Sequence, residues 1–66
     1  MKLNLKYIKN KRLEKKLTLQ EMAEKLGMKD ASTYMRYEKG EYALKADIIP
    51  KIALILNCDI KDFFKN

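Results

Sequence analysis

Leu5, Ile8 and Arg12 recur at helical spacing while Lys6, Lys9 and Lys16 fall on other sides, a pattern that predicts an amphipathic first helix over about residues 4–16. An arginine on the apolar stripe is its one irregular position. Next, Thr18 stands three places before Glu21. That is the spacing of a capping box, in which the hydroxyl accepts from the Glu21 backbone N–H and the carboxylate reaches back to that of Thr18. Leu19, Met22, Ala23 and Leu26 continue as an i, i+3, i+4, i+7 stripe, and Gly27 follows where a left-handed helix end is expected. The second helix is therefore only about two turns long.

A third helix begins among Asp30 to Ser32, one of whose side chains caps it, and runs to Lys39 with Gly40 ending it. Tyr34 and Tyr37 make its inward face, which leaves Ala31, Ser32, Met35 and Arg36 for the other side. Residues 40–46 read as a loop. The fourth helix covers about residues 47–57, with Pro50 in its first turn, where a missing N–H has no partner to lose. Ile49, Ile52, Ala53 and Leu56 form its main stripe, and Ile48 and Ile55 a second one. Asp59 is placed to cap a short last helix carrying Ile60, Phe63 and Phe64. No stretch sustains period-two alternation, so strands are not expected, and no repeat or low-complexity linker divides the chain. The expectation is one all-α domain over residues 1–66, a compact five-helix bundle. Its two short helices about a glycine turn, over about residues 18–39, have the form of a helix-turn-helix.

Sixty-six residues suffice for one small domain. A 47% apolar content with two Gly and one Pro suits a packed fold rather than disorder. Histidine is absent and Cys58 is the lone cysteine, which excludes a disulfide within the chain and any metal site built on those ligands. No nucleophile–base pair, metal cluster or phosphate-cradling glycine loop can be assembled, so neither catalysis, nor a cofactor, nor a small-molecule substrate is expected. The longest apolar run, Ile52 to Leu56, is too short to span a bilayer. The basic start leads into no apolar signal core. No membrane partner is expected, and the cytoplasm, beside the nucleoid, is the expected location.

Charge sharpens the picture. Lys2, Lys6, Lys9, Lys11, Arg12, Lys15 and Lys16 stand against Glu14 alone, so the first quarter of the chain carries the whole net +6 while the rest balances. Such an excess favours a nucleic acid or an anionic surface as partner.

Taken in order, Arg12, Leu17-Thr18, Met22-Ala23-Glu24-Lys25-Leu26-Gly27, Ser32-Thr33 and Arg36-Tyr37-Glu38-Lys39-Gly40 resemble the Cro/repressor-type helix-turn-helix family, also called XRE-like or lambda repressor-like. Ile49-Pro50-Lys51-Ile52-Ala53 and Leu56-Asn57 are similar to that family's fourth helix and the approach to its fifth. The resemblance extends over roughly residues 5–64. It implies that the third helix lies in the major groove of DNA with its N-terminal part at base edges. Ala31, Ser32 and Arg36 match base-contacting positions, Thr33 lies close to the backbone or a base, and Met35 projects outward towards a base or sugar. Their chemistry suits the role: Arg presents two donors to guanine O6 and N7, Ser donates or accepts, and Ala meets a thymine methyl.

The same resemblance assigns the DNA backbone to the start of the second helix, with Thr18 and Gln20, and to Lys39, Tyr42 and Lys45 after the third. Leu19 stands where many members carry a phosphate-binding Gln, and the stretch from Gly27 to Glu38 is one residue longer than the family's usual spacing, which enlarges the turn. Arg12 and Glu38 match a semi-buried salt bridge between the first and third helices, and so account for the arginine on the apolar stripe. The hydroxyls of Tyr34 and Tyr37 are expected at the rim, near water or phosphate.

A lone recognition helix reads few base pairs, so a weak homodimer on a palindromic operator is expected. Leu54, Asn57, Cys58 and Phe64 are its candidate interface, and Cys58 otherwise reads as a small buried hydrophobe. The reading is a sequence-specific transcriptional regulator, Cro-like or repressor-like, from a phage or mobile element. The rivals are an antitoxin that also grips a toxin and a protein-interaction module such as an antirepressor.

Overall fold

The computed structural model describes residues 2–65. Asn4 opens the first helix, α1 (Leu5–Glu14), its side-chain oxygen accepting from the Tyr7 N–H at 3.1 Å. The second helix, α2 (Leu19–Lys25), is started by the capping box: Thr18 Oγ1 accepts from the Glu21 N–H at 3.0 Å, and Glu21 Oε1 accepts from the Thr18 N–H at 2.9 Å. α3 (Ala31–Lys39) begins at Asp30, and α4 (Ile48–Leu56) follows the loop after Gly40. In α4 the Lys45 carbonyl takes the N–H groups of Ile48 and Ile49 at 3.0 and 3.3 Å. Pro50 has no N–H to satisfy, which is why it is tolerated there.

All four helices stop in the same way. A residue with positive φ (Lys16, Gly27, Gly40 or Asn57) carries one N–H back three residues, and the next N–H reaches back five. This is the Schellman arrangement, which satisfies two terminal carbonyls at once. Glycine fills two of these sites. Lys16 and Asn57, at φ 57° and 55°, hold a conformation that is strained for a lysine and milder for an asparagine.

The core draws on every helix: Ile8 of α1, Met22 and Ala23 of α2, Tyr34 of α3, and Ile52, Ala53 and Leu56 of α4, with Phe63 closing it from below. α4 is apolar almost throughout, so it binds the others by burial rather than by polar contacts.

Two expectations are corrected here. The fifth helix is a single 3-10 turn, Ile60–Phe63, and the Asp59 side chain makes no capping bond. The fold is also not purely helical. Strand β1 (Lys2–Leu3) pairs antiparallel with β2 (Phe64–Lys65), in the register Lys2↔Lys65 and Leu3↔Phe64. Both corrections have one cause. Phe63 must point into the core at zero exposure while its carbonyl accepts the Asn4 N–H. A tight turn running straight into extended chain achieves that, and a further turn of α-helix does not. Strands of two residues are too short for alternation to show in the pattern. α1 also ends at Glu14, ahead of the expected residue 16.

Candidate functional site

The Arg12 side chain enters the interior from α1 and meets α3. Its Nε donates to Glu38 Oε2 at 3.0 Å and its Nη2 to Glu38 Oε1 at 3.0 Å, a two-pronged pair; Nη1 donates to the Leu17 carbonyl at 2.9 Å. The side chains are 8% and 5% exposed. One guanidinium thus ties α1, the segment leading into α2, and α3. This fixes the angle at which α3 is presented, and the expected salt bridge is present with both charges fully engaged.

Tyr34, one turn before Glu38, departs from expectation. Its ring is buried at 1% exposure and its hydroxyl sits inside, beside the Glu38 carboxylate but without a hydrogen bond of good geometry, so it does not reach the rim. Both Glu38 oxygens already accept from Arg12. Burial first, and the nearby Glu38 carboxylate second, push the Tyr34 phenol far above its ordinary range. A buried hydroxyl left unpaired is destabilising, so Tyr34→Phe is expected to raise stability by about 1 kcal/mol, read from the urea midpoint. A loss of the same size would show that the hydroxyl is bonded after all. Tyr37 remains half-buried.

The exposed side of α3 begins with a tight polar cluster. Asp30 Oδ1 accepts from the Thr33 N–H, from Thr33 Oγ1 and from Ser32 Oγ, each at 2.9 Å. The bonds from Thr33, and then that from Ser32, hold the Asp30 carboxyl below the usual aspartate range. Asp30 is therefore the cap, which leaves Ser32 exposed and without a capping role, although its hydroxyl proton is engaged. Ala31, Thr33 and Met35 are half-buried and Arg36 is exposed.

Two strips of side chains run along α3. Ser32 and Arg36, four apart, form the outer one. Met35 and Lys39 form the other, which lines an open cleft of about 310 Å³ with Lys9 and Arg12 of α1, Leu19 at the start of α2, and Glu38. Leu19 supplies apolar floor where the family pattern has an amide. Gln20 lies along α2, bonded to Glu24 at 3.3 Å. Thr18 is exposed; its oxygen accepts from Glu21, so its hydroxyl proton is still available to donate. Lys45 is exposed in the loop, and Tyr42, 45% exposed, packs its ring edge-on to Tyr37 at 5.4 Å between centroids.

Lys9 is a cleft residue that the sequence reading had only as part of a charge total. The signal was present. Lys9 precedes Arg12 by three, so once Arg12 is known to meet α3, Lys9 must face the same seam. Glu41 was missed too: its Oε1 lies 3.4 Å from Arg36 Nη1. Of the candidate interface residues, Leu54 is 83% exposed, Asn57 is exposed, and Cys58 and Phe64 are half-buried against the core. Cys58 donates to the Leu56 carbonyl at 3.3 Å. No helix among the described residues is long and apolar enough to cross a membrane.

Compared with known proteins, the chain matches the family described as helix-turn-helix over residues 8–63. No curated protein and no solved structure matches it.

Proposed function

The chain belongs to the Cro/repressor-type helix-turn-helix family, a family of non-enzymatic DNA-binding domains, and from that premise we propose that it is a sequence-specific transcriptional regulator of repressor or Cro type, native to a phage or mobile element, which reads duplex DNA with α3 in the major groove. The observation that carries this reading is the outer strip of α3. Ser32 and Arg36 stand exposed on one helix face, and that helix is locked at its base to α1 by the buried Arg12–Glu38 pair. A rigid helix carrying exposed groups with bidentate potential is the arrangement that base reading needs. Ala31, Thr33 and Met35 border that strip as supplementary contacts to bases or sugars.

Thr18, Gln20, Lys39, Tyr42 and Lys45 are assigned to phosphates. Phosphate contacts position the protein without reading sequence. Lys45→Ala is accordingly expected to weaken cognate and random duplexes by the same factor, and to flatten the log–log salt dependence by about 0.9. Binding titrations at several salt concentrations check it.

Selection from a random duplex library tests the whole reading. A recovered motif with two-fold symmetry and half-sites about 34 Å apart is expected, with the homodimer formed through Leu54, Asn57, Cys58 and Phe64. An unsymmetrical single site would count against the dimer. Recovery of no motif would count against sequence reading itself.

A further inference from the structure

Glu41 has no part in the phosphate or base contacts assigned above, yet the fold sets it directly against the proposed reading residue. Past Gly40, at φ 85°, the backbone turns back so that the N–H groups of Glu41 and Tyr42 both donate to the Arg36 carbonyl, at 2.9 and 3.3 Å. Residues 41 and 42 are thereby fixed to Arg36 by main chain rather than by a free loop. Their side chains then take hold of its guanidinium. Glu41 Oε1 accepts from Nη1 at 3.4 Å, and the Tyr42 ring lies 5.8 Å from Cζ, itself backed by Tyr37. Among the described residues, Arg36 Nε and Nη2 make no hydrogen bond, so a two-donor edge of the fork is left open.

We propose that Glu41 is a specificity-determining residue, which holds the Arg36 guanidinium for a base edge and keeps it from the phosphates. The inference rests on Arg36 being a base reader. An exposed arginine has two competing partners on DNA. Guanine offers O6 and N7, which are neutral acceptors, and a phosphate offers two anionic oxygens. Sequence-independent attraction favours the phosphate. A carboxylate fixed beside the guanidinium repels a phosphate and leaves a neutral guanine edge unopposed, while Nη1 and the ring face restrict the fork to the one open edge. Glu41 thus acts through Arg36 as a positioning residue.

The test is a double-mutant cycle of Glu41→Gln with Arg36→Ala, measured on the duplex recovered by selection with the unmodified chain and on a shuffled duplex of equal length. Glu41 is half-exposed and lies outside the core cluster, so the variant is expected to fold as the parent does. With Arg36 present, Glu41→Gln is expected to strengthen binding to the shuffled duplex more than to the selected one. The selectivity ratio then falls by roughly 1.5- to 5-fold, the range set by an exposed ion pair. With Arg36 replaced by Ala, the ratio is expected to be unmoved by Glu41→Gln. Equal gains on both duplexes in both backgrounds would overturn the proposal and leave Glu41 as a plain repulsive charge. A parent chain that bound no duplex would defeat the DNA-binding reading first, and this inference with it.

Discussion

Arg12→Ala is expected to remove most of the domain's stability at 25 °C. The substitution strands the Glu38 carboxylate, whose side chain is 5% exposed, and breaking one partner of a buried pair typically costs about 3–5 kcal/mol. Domains are stable by only about 5–15 kcal/mol, and one this small belongs at the lower end. The Leu17 carbonyl loses its partner as well. Far-UV circular dichroism and urea titration read the effect. Glu38→Ala is expected to match it, because it strands the guanidinium instead. Replacing both residues by leucine is expected to recover much of the loss, since two apolar side chains leave no charge without a partner. A loss of under about 1 kcal/mol for Arg12→Ala would mean that the pair behaves as an exposed one, and α3 would then be held by packing alone.

Arg36→Ala should leave the fold intact and take away the reading. Its side chain is 48% exposed and its ion pair lies at the surface, so the urea midpoint is expected to stay within about 0.5 kcal/mol of the parent. On the selected duplex the loss is expected to be about 1–3 kcal/mol, or about 5- to 150-fold in Kd. Shuffled duplex is expected to lose far less, and repeated selection to show relaxed preference at one base position per half-site. Equal losses on selected and shuffled DNA would place Arg36 on a phosphate and refute its role as reader. The contrast with Arg12 is instructive, for both are arginines of the same small domain. One is buried and is expected to act on folding, and the other is exposed and is expected to act on DNA.

The buried half of that contrast was readable in the sequence. Arg12 falls on the stripe of Leu5 and Ile8, and a cation on an apolar stripe needs a buried partner; the family resemblance, not the pattern, pointed to Glu38. The capping box at Thr18 and Glu21 was readable because both of its bonds are local, as was the left-handed end at Gly27. The phenol of Tyr34 was not. Helical spacing shows which side a tyrosine faces but not how deep its far end sits, and that depth depends on where α1 and α4 pack. The terminal strands were hidden for a related reason. They arise from a pairing between the two ends of the chain, and no local pattern encodes a partner sixty residues away. Glu41 was missed because it lies in a loop, where periodicity says nothing. The Schellman turn that brings it onto Arg36 follows from Gly40, but a turn specifies where a side chain starts and not what it reaches.

The pairing of β1 with β2 also bears on where the fold opens first. α2 and α3 meet each other close in sequence, and such contacts form at little entropic expense. The seam joining Lys2 to Lys65 is the pairing of greatest sequence separation in the fold, so it carries the largest loop-closure cost. It is also weak, since it is two residues long and sets two like charges opposite each other. Opening of the fold is therefore expected to begin at this seam. The helix pair proposed to meet DNA lies between the two strands in sequence, so fraying at the seam is expected to come and go while α2 and α3 stay in place.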